Sequence, residues 1–231
     1  MLRSSRPPPR SSGTFGSTYQ KRLAVSRKQS LKLARELDPP PDDENSFYGL
    51  WDFGNCRLPP LYVVGSLIPK INLCLQTVNP LYRMCRMNSA IGNPNFAFIW
   101  QNRDVLNKQW DVKESKKRKI RCSVPICGRL IQSSNNAEVA YERKYDVADR
   151  MLIQELLCYV LANRTPRNIL IISDDCDFGF PMHILRERGY RVFLMQRSAN
   201  LRPLTQIAQH AWAWVDVVNG LTRPFYSLPN A

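Results

Sequence analysis

Four aspartates stand where the sequence predicts that a strand ends or a helix begins. Asp52 ends an apolar segment, Asp149 opens an amphipathic one, and Asp175 and Asp177 follow the apolar run at 168–173. An Asp-x-Asp spacing in an extended turn directs both carboxylates the same way. Converging carboxylates repel one another unless a cation neutralises them, and Mg²⁺ or Mn²⁺ prefers carboxylate oxygen. We therefore predict a Mg²⁺ or Mn²⁺ site at these aspartates, although Asp149 or Asp177 taken singly suits helix capping better.

Several other kinds of catalytic site lack their residues. The two histidines, His183 and His210, and the pair Cys122 and Cys127 do not make up a four-ligand zinc site. The ten glycines form no GxGxxG or GxxxxGK[ST] phosphate loop, and GxSxG is absent. Dehydrogenase, kinase and serine hydrolase chemistry are therefore excluded. Seven cysteines, an odd number without regular spacing, indicate reduced intracellular thiols.

Alternating strands and helices are predicted to position the acids. Continuous apolar runs such as NILIIS at 168–173 are typical of strands buried on both faces. The alternation predicts an α/β fold, with a parallel sheet and helices on both faces, whose ligands bind beyond the carboxyl ends of the strands. The predicted strands are 47–53, 95–100, 120–126, 168–173 and 191–195, and the predicted helices are 61–85, 103–110, 148–163, 179–188 and 203–214.

The net charge of +14 is concentrated in two segments. Residues 1–35 hold nine basic residues and no acid, and KESKKRKIR at 113–121 holds six basic residues and one acid. Localised basicity of this kind is typical of segments that bind a phosphate backbone, although solubility or targeting explains either segment alone equally well. We predict RNA-backbone contacts within a basic insertion near 111–122, from Lys116, Lys117, Arg118 and Lys119.

The N-terminal residues 1–42 are predicted to form a disordered basic arm, because they are rich in Ser, Arg and Pro. Such an arm is also compatible with an organellar transit peptide. No apolar run approaches the ~18 residues of a membrane span. We therefore expect an intracellular protein, in the cytoplasm, the nucleus or an organelle. The C-terminal LPNA is no peroxisomal signal.

Three short motifs carry the predicted acids: WDFGNC at 51–56, YDVAD at 145–149 and IISDDCDF at 171–178. They resemble, in turn, the WDxxNC opening, the acid-bearing helix start and the SGDxDF signature of the NYN domain family. These are the PIN-like ribonuclease domains of the limkain (meiosis regulator and mRNA stability factor) type, which are abundant in plants. A helix–GY–strand passage at 182–195 and the pair Trp212 and Trp214 extend the resemblance, which spans roughly residues 46–220.

The resemblance implies a Rossmann-like domain at 43–220, followed by a tail at 221–231. It also implies an acidic, metal-supported pocket that cuts RNA endonucleolytically. The implied metal-binding and catalytic residues are the same four aspartates, with substrate support from Asn55 and Ser173. Glu155 matches a further frequent acid, but it lies about 120° from Asp149 around the helix and is left out.

Two residues depart from the family pattern: Gly54 stands where an acid is frequent, and Asp174 stands where glycine is usual. They motivate an alternative function, an inactive NYN domain that serves as an RNA-binding or messenger-particle scaffold. Besides RNA, a second copy of the chain and messenger-particle proteins are candidate partners. DCDFG at 175–179 could also pass for the nucleophile motif of a haloacid-dehalogenase-type phosphatase. That chemistry needs a downstream pair of acids for Mg²⁺, and the acids that follow, Glu187 and Asp216, are isolated from each other.

Overall fold

The computed structural model describes residues 42–93, 95–115, 118–122, 129–131, 140–145, 147–163 and 167–229, and between 118 and 145 it describes the backbone alone. The predicted N-terminal arm lies outside the described residues except for Asp42. Lys116 and Lys117 also lie outside them, as do the side chains of Arg118 and Lys119.

Eight of the described strands form one sheet, in the order β11–β10–β9–β8–β1–β3–β4 with β2 beside β1. All of its strand pairs are parallel except β10 with β11. Without β2 and β11, the strands lie across the sheet in the order β4–β3–β1–β8–β9–β10. Numbered along the chain, this is 3-2-1-4-5-6, the order of a Rossmann-like, doubly wound sheet. The bounds are β1 Ser46–Asp52, β2 Arg83–Met84, β3 Asn88–Gly92, β4 Trp110–Glu114, β8 Asn168–Ile172, β9 Arg191–Gln196, β10 His210–Ala213 and β11 Tyr226–Ser227.

Helices cover both faces of the sheet, because successive residues of the buried strands point to opposite sides. In β8, Leu170 and Ile172 pack into one hydrophobic core, and Ile169 and Ile171 pack into the other. Helices α1 and α7 contribute to the first core, and α4, α5 and α6 contribute to the second. The predicted α/β class is therefore confirmed. The helices are α1 Leu67–Gln76, α2 Ala97–Gln101, α3 Arg103–Leu106, α4 Val147–Ala162, α5 Gly179–Glu187, α6 Pro203–Ile207 and α7 Trp214–Asn219.

Two predicted elements are wrong in type. The predicted strand at 95–100 is helical, since α2 begins at Ala97. A short apolar run carries no periodicity that separates strand from helix. The predicted helix at 203–214 ends at Ile207 as α6, and β10 then pairs in parallel with β9.

Three other predictions needed new bounds. The helix predicted at 61–85 is the ten-residue α1, with Pro69 in its first turn, where a backbone N–H has no intrahelical partner to lose. The helix predicted at 103–110 ends at Leu106, and Trp110 already begins β4. The strand predicted at 120–126 is β5, Arg118–Cys122, which lies outside the main sheet, and residues 123–126 lie outside the described residues.

The basic insertion forms a small sheet of its own between β4 and α4. Its strands β5, β6 (Arg129–Ile131) and β7 (Ala140–Tyr145) pair antiparallel in the order β5–β7–β6. The segment expected as a tail, 221–231, supplies the edge strand β11. Among the helices that the structure describes, none combines the length and apolar character needed to cross a membrane.

Candidate metal-binding active site

The candidate site lies at the point of the sheet where the strand order reverses. Strands β1 and β8 are neighbours at its centre, and the chain continues outward from them on opposite sides, to β3 and to β9. In sheets of this kind, ligands bind beyond the carboxyl ends of the strands at such a switch point. Asp52 is the last residue of β1, and Ser173 follows directly on β8. Strand order therefore brings two of the predicted motifs together.

Asp52 is buried, with 3% of its surface exposed, and the loop after β1 holds its carboxylate. The backbone N–H groups of Gly54 and Asn55 donate to Oδ1 at 2.8 and 3.2 Å. The side-chain amide of Asn55 donates to Oδ2 at 2.6 Å. The predicted supporting residue Asn55 therefore orients the predicted metal ligand Asp52.

Asp149, in the first turn of α4, lies beside Asp52 and is also buried, with 4% of its surface exposed. Burial raises the pKa of Asp52, and the interactions with Asp149, with the Gly54 and Asn55 backbone and with the Asn55 side chain oppose that rise. Burial therefore favours the protonated form of Asp52 when no cation compensates its charge.

Ser173 links this carboxyl pair to the next predicted motif. Its hydroxyl donates to Asp52 Oδ2 at 3.4 Å and accepts the backbone N–H of Asp175 at 3.2 Å. The Asn55 amide also reaches Ser173 Oγ, at 3.4 Å. The side chain of Ser173 is buried and contacts both halves of the site.

Asp175 and Asp177 form the second half of the site, around a 3₁₀ turn at Cys176–Phe178. Asp175 Oδ1 accepts the backbone N–H of Asp177 at 2.9 Å. One oxygen of each carboxylate and Cys176 Sγ all lie within 4.8 Å of one another. The four predicted aspartates are thus brought together as two pairs joined through Ser173, and their convergence on one ion stays a prediction.

The two departures from the family pattern have local explanations. Asp174 Oδ2 lies 2.9 Å from Arg202 Nη1 and 3.9 Å from Arg197 Nε, with only 6% of its side chain exposed. Arginines thus compensate the charge of Asp174. A Cβ at Gly54 would lie 3.0 Å from Asp52 Oδ1, so a side chain there would press on the carboxylate that the Gly54 N–H binds.

A cavity of about 270 Å³ opens at Asp52 and is lined by residues that the sequence did not single out, among them Arg57, Ser115 and Arg197. Arg197 could have been identified from the sequence, because it follows the predicted strand at 191–195 and lies directly after β9, and ligands bind beyond strand ends. Glu155, left out of the predicted set, is instead bonded to Lys113 at 2.6 Å.

Comparison with known families identifies one domain. The family model of the NYN domain matches residues 50–212, a span that includes the four aspartates, Asn55 and Ser173. A search of curated proteins found no significant match. Because the matched span covers more than half of the chain, this protein belongs to the NYN domain family.

Proposed function

We propose that this protein is an endoribonuclease that depends on Mg²⁺ or Mn²⁺. The observation that carries the proposal is the pair of buried carboxyl groups, Asp52 and Asp149, at the switch point of the sheet. Membership in the NYN domain family, whose fold resembles that of PIN-like nucleases, supports the same reaction class. The contacts of each residue in the site indicate what it would contribute to this reaction.

The donor set suits a hard divalent cation. Two buried carboxylates in contact cannot both be ionised without a compensating positive charge, and their donor atoms are all oxygen. Asp52 and Asp149 would hold the ion, and Asp175 and Asp177 would add oxygen ligands from the second pair. Bound there, such an ion supplies activation of water for in-line attack on a phosphodiester and stabilises the leaving oxygen.

The protein's own groups would prepare the site for that chemistry. The backbone N–H and the side-chain amide of Asn55 both donate to the Asp52 carboxylate, which keeps it in one orientation. A proton on Asp52, favoured by its burial, would leave when a cation binds, since metal ligands must be deprotonated. Ser173 would keep the two carboxyl pairs in register by bonding both Asp52 and the Asp175 N–H.

The basic insertion begins and ends beside the candidate site. It leaves the main domain after Ser115 and returns before Ala148, and both residues line the cavity at Asp52. Lys116, Lys117, Arg118 and Lys119 follow Ser115 directly in the chain. We propose that they and the N-terminal arm bind RNA phosphates, an interaction that carries little sequence information.

The test is cleavage of an end-labelled single-stranded RNA by the purified protein, with Mn²⁺, with Mg²⁺ and with EDTA. We expect internal cuts that require the metal and that fall by at least about 100-fold in Asp149→Asn and in Asp175→Asn. Glu187→Gln is the matched control, because Glu187 is an exposed acid whose partner is His183, outside the site. Metal-independent cutting, or full activity of both variants, would contradict the proposal.

Binding without any cleavage would favour the alternative function, an inactive NYN domain that acts as an RNA-binding scaffold. The cleavage assay decides between the two functions. Circular dichroism of each variant is the control that reports whether its fold is intact.

A further inference from the structure

An apolar groove of about 640 Å³ adjoins the cavity at Asp52. Its volume lies in the range of sites that bind small ligands. One wall is the loop after β1, and the other wall is helix α7. The apolar lining consists of Leu58, Pro59 and Pro60 from the loop and Trp214, Val215 and Val218 from the helix.

The two walls are fixed to each other. Trp214, the first residue of α7, is buried, and its indole N–H donates to the backbone oxygen of Arg57 at 2.7 Å. The groove therefore exists before any ligand arrives. Val215, beside this hydrogen bond, is 50% exposed and presents apolar surface to solvent.

The groove and the cavity at Asp52 share part of their walls. Asn55, Arg57 and Arg197 line both. Arg57 Nε donates to the backbone oxygen of Gly54 at 3.2 Å, and its guanidinium lies 4.4 Å from the ring centre of Phe96. Arg197 Nε donates to the backbone oxygen of Asn55 at 3.3 Å. The loop that positions Asp52 therefore also positions two cations at the boundary.

Positive charge remains available at this boundary. Among the described residues, Arg197 has one acid within 4.0 Å, Asp174 at 3.9 Å, and that acid is paired more closely with Arg202, at 2.9 Å. Arg57 has no carboxylate within 4.0 Å among the residues that the structure describes. Two exposed guanidinium groups that line both the cavity at Asp52 and the groove suit a phosphate that bridges the two.

We propose that the groove is a nucleoside subsite for single-stranded RNA. The base and sugar next to the cut bond lie between the loop and α7, and Arg57 and Arg197 hold the adjoining phosphate. The side-chain amide of Asn219, exposed at the groove and making no hydrogen bond within the described residues, supplies a donor and an acceptor for a base edge. Single-stranded RNA is the substrate class because the bases of a duplex are stacked and cannot enter the groove. The inference rests on the proposed function.

Photo-crosslinking locates the base directly. A single-stranded oligoribonucleotide containing 4-thiouridine is irradiated with the full-length protein in EDTA, and the crosslinked peptides are identified by mass spectrometry. We expect crosslinks within 57–60 or 214–219, and their disappearance when the same strand is annealed to its complement. Crosslinks confined to other parts of the chain would overturn the subsite.

Binding by variants tests the individual side chains, with fluorescence anisotropy of a short labelled RNA in EDTA. Arg57→Ala and Arg197→Ala should each weaken binding roughly tenfold, as expected when one hydrogen bond to a charged group is removed. Arg188→Ala, which removes an exposed arginine at the end of α5, should bind like the unmodified protein. Val215→Glu should weaken binding by placing a negative charge in the groove, whereas Val215→Thr, of similar size and uncharged, should not.

The failures of the two proposals are distinguishable. If the unmodified protein cuts RNA and the Arg57, Arg197 and Val215 variants all bind RNA normally, the subsite is wrong and the nuclease stands. If crosslinks fall in the groove but no cleavage occurs, the subsite stands and the nuclease is wrong.

Discussion

The carboxyl groups of Asp52 and Asp149 lie beside each other, at the junction of the central strand β1 and helix α4. Both residues are buried, so water cannot screen the repulsion that two ionised carboxylates would suffer. Burial therefore raises the pKa of Asp52. We expect the stability of the fold to depend on pH and, where a divalent cation is bound, on that cation.

Stability of the metal-free protein should fall with rising pH because of Asp52. Burial raises the pKa of Asp52 in the folded state, so the folded protein binds more protons than the unfolded chain between the ordinary aspartate value and the raised one. In that window the free energy of unfolding decreases as pH rises. The measurement is thermal denaturation of both proteins in EDTA. The melting temperature of Asp52→Asn minus that of the unmodified protein should increase as the pH rises. A difference that does not change with pH would rule out this linkage.

A divalent cation should stabilise the folded protein. An ion present at 100 times its dissociation constant adds about 2.7 kcal/mol, which is about 5 to 10 °C in melting temperature for a chain of this size. Differential scanning fluorimetry with increasing Mn²⁺ should show this shift in the unmodified protein and in Glu187→Gln. It should be absent in Asp149→Asn, and a full shift there would place the ion elsewhere.

Gly92, at the end of β3, should not tolerate a larger residue. A Cβ at this position would lie 2.4 Å from the ring of Phe53, the buried aromatic that follows Asp52. Overpacking of this kind costs roughly 1–3 kcal/mol, so Gly92→Ala should lower the free energy of unfolding by that amount in urea. Gly179→Ala is the matched control: its nearest atom is 3.7 Å away and its backbone is helical, so its effect should be neutral or slightly stabilising. Equal destabilisation of the two variants would contradict the role assigned to the Phe53 ring.

The N-terminal segment should add affinity for RNA without choosing the cut. Deleting residues 1–41 removes all nine basic residues of 1–35. The slope of log affinity against log salt should then flatten by about 0.7 for each phosphate of the single strand that the segment no longer neutralises. A full-length variant with those nine residues changed to glutamine separates charge from length and should behave like the deletion. An unchanged slope, measured by anisotropy from low to high salt, would favour a targeting role for this segment.

Local patterns identified the elements with strong periodicity or continuous apolar character. The buried strands β8 and β9 and the long helix α4 lie within one or two residues of their predicted ends. Weaker patterns failed where pairing decides the outcome. Strand β3, with the sequence NSAIG, was missed because it is held in place by its neighbours β1 and β4 and by little of its own composition. The side chain of Asn88 completes that position by accepting the Gly49 N–H at 2.8 Å.

The amino-acid sequence by itself determined which side chains are available for chemistry: four aspartates in family motifs, an asparagine and a serine beside them, and two basic segments. Only the tertiary structure decided their partners. The packing of the elements set Asp149 beside Asp52 and Asp174 beside Arg202. It also set Arg57 and Arg197 between the cavity at Asp52 and an apolar groove. The physical reason is that residue type and periodicity are local properties, whereas contacts between distant segments arise from the packing of the sheet and its helices.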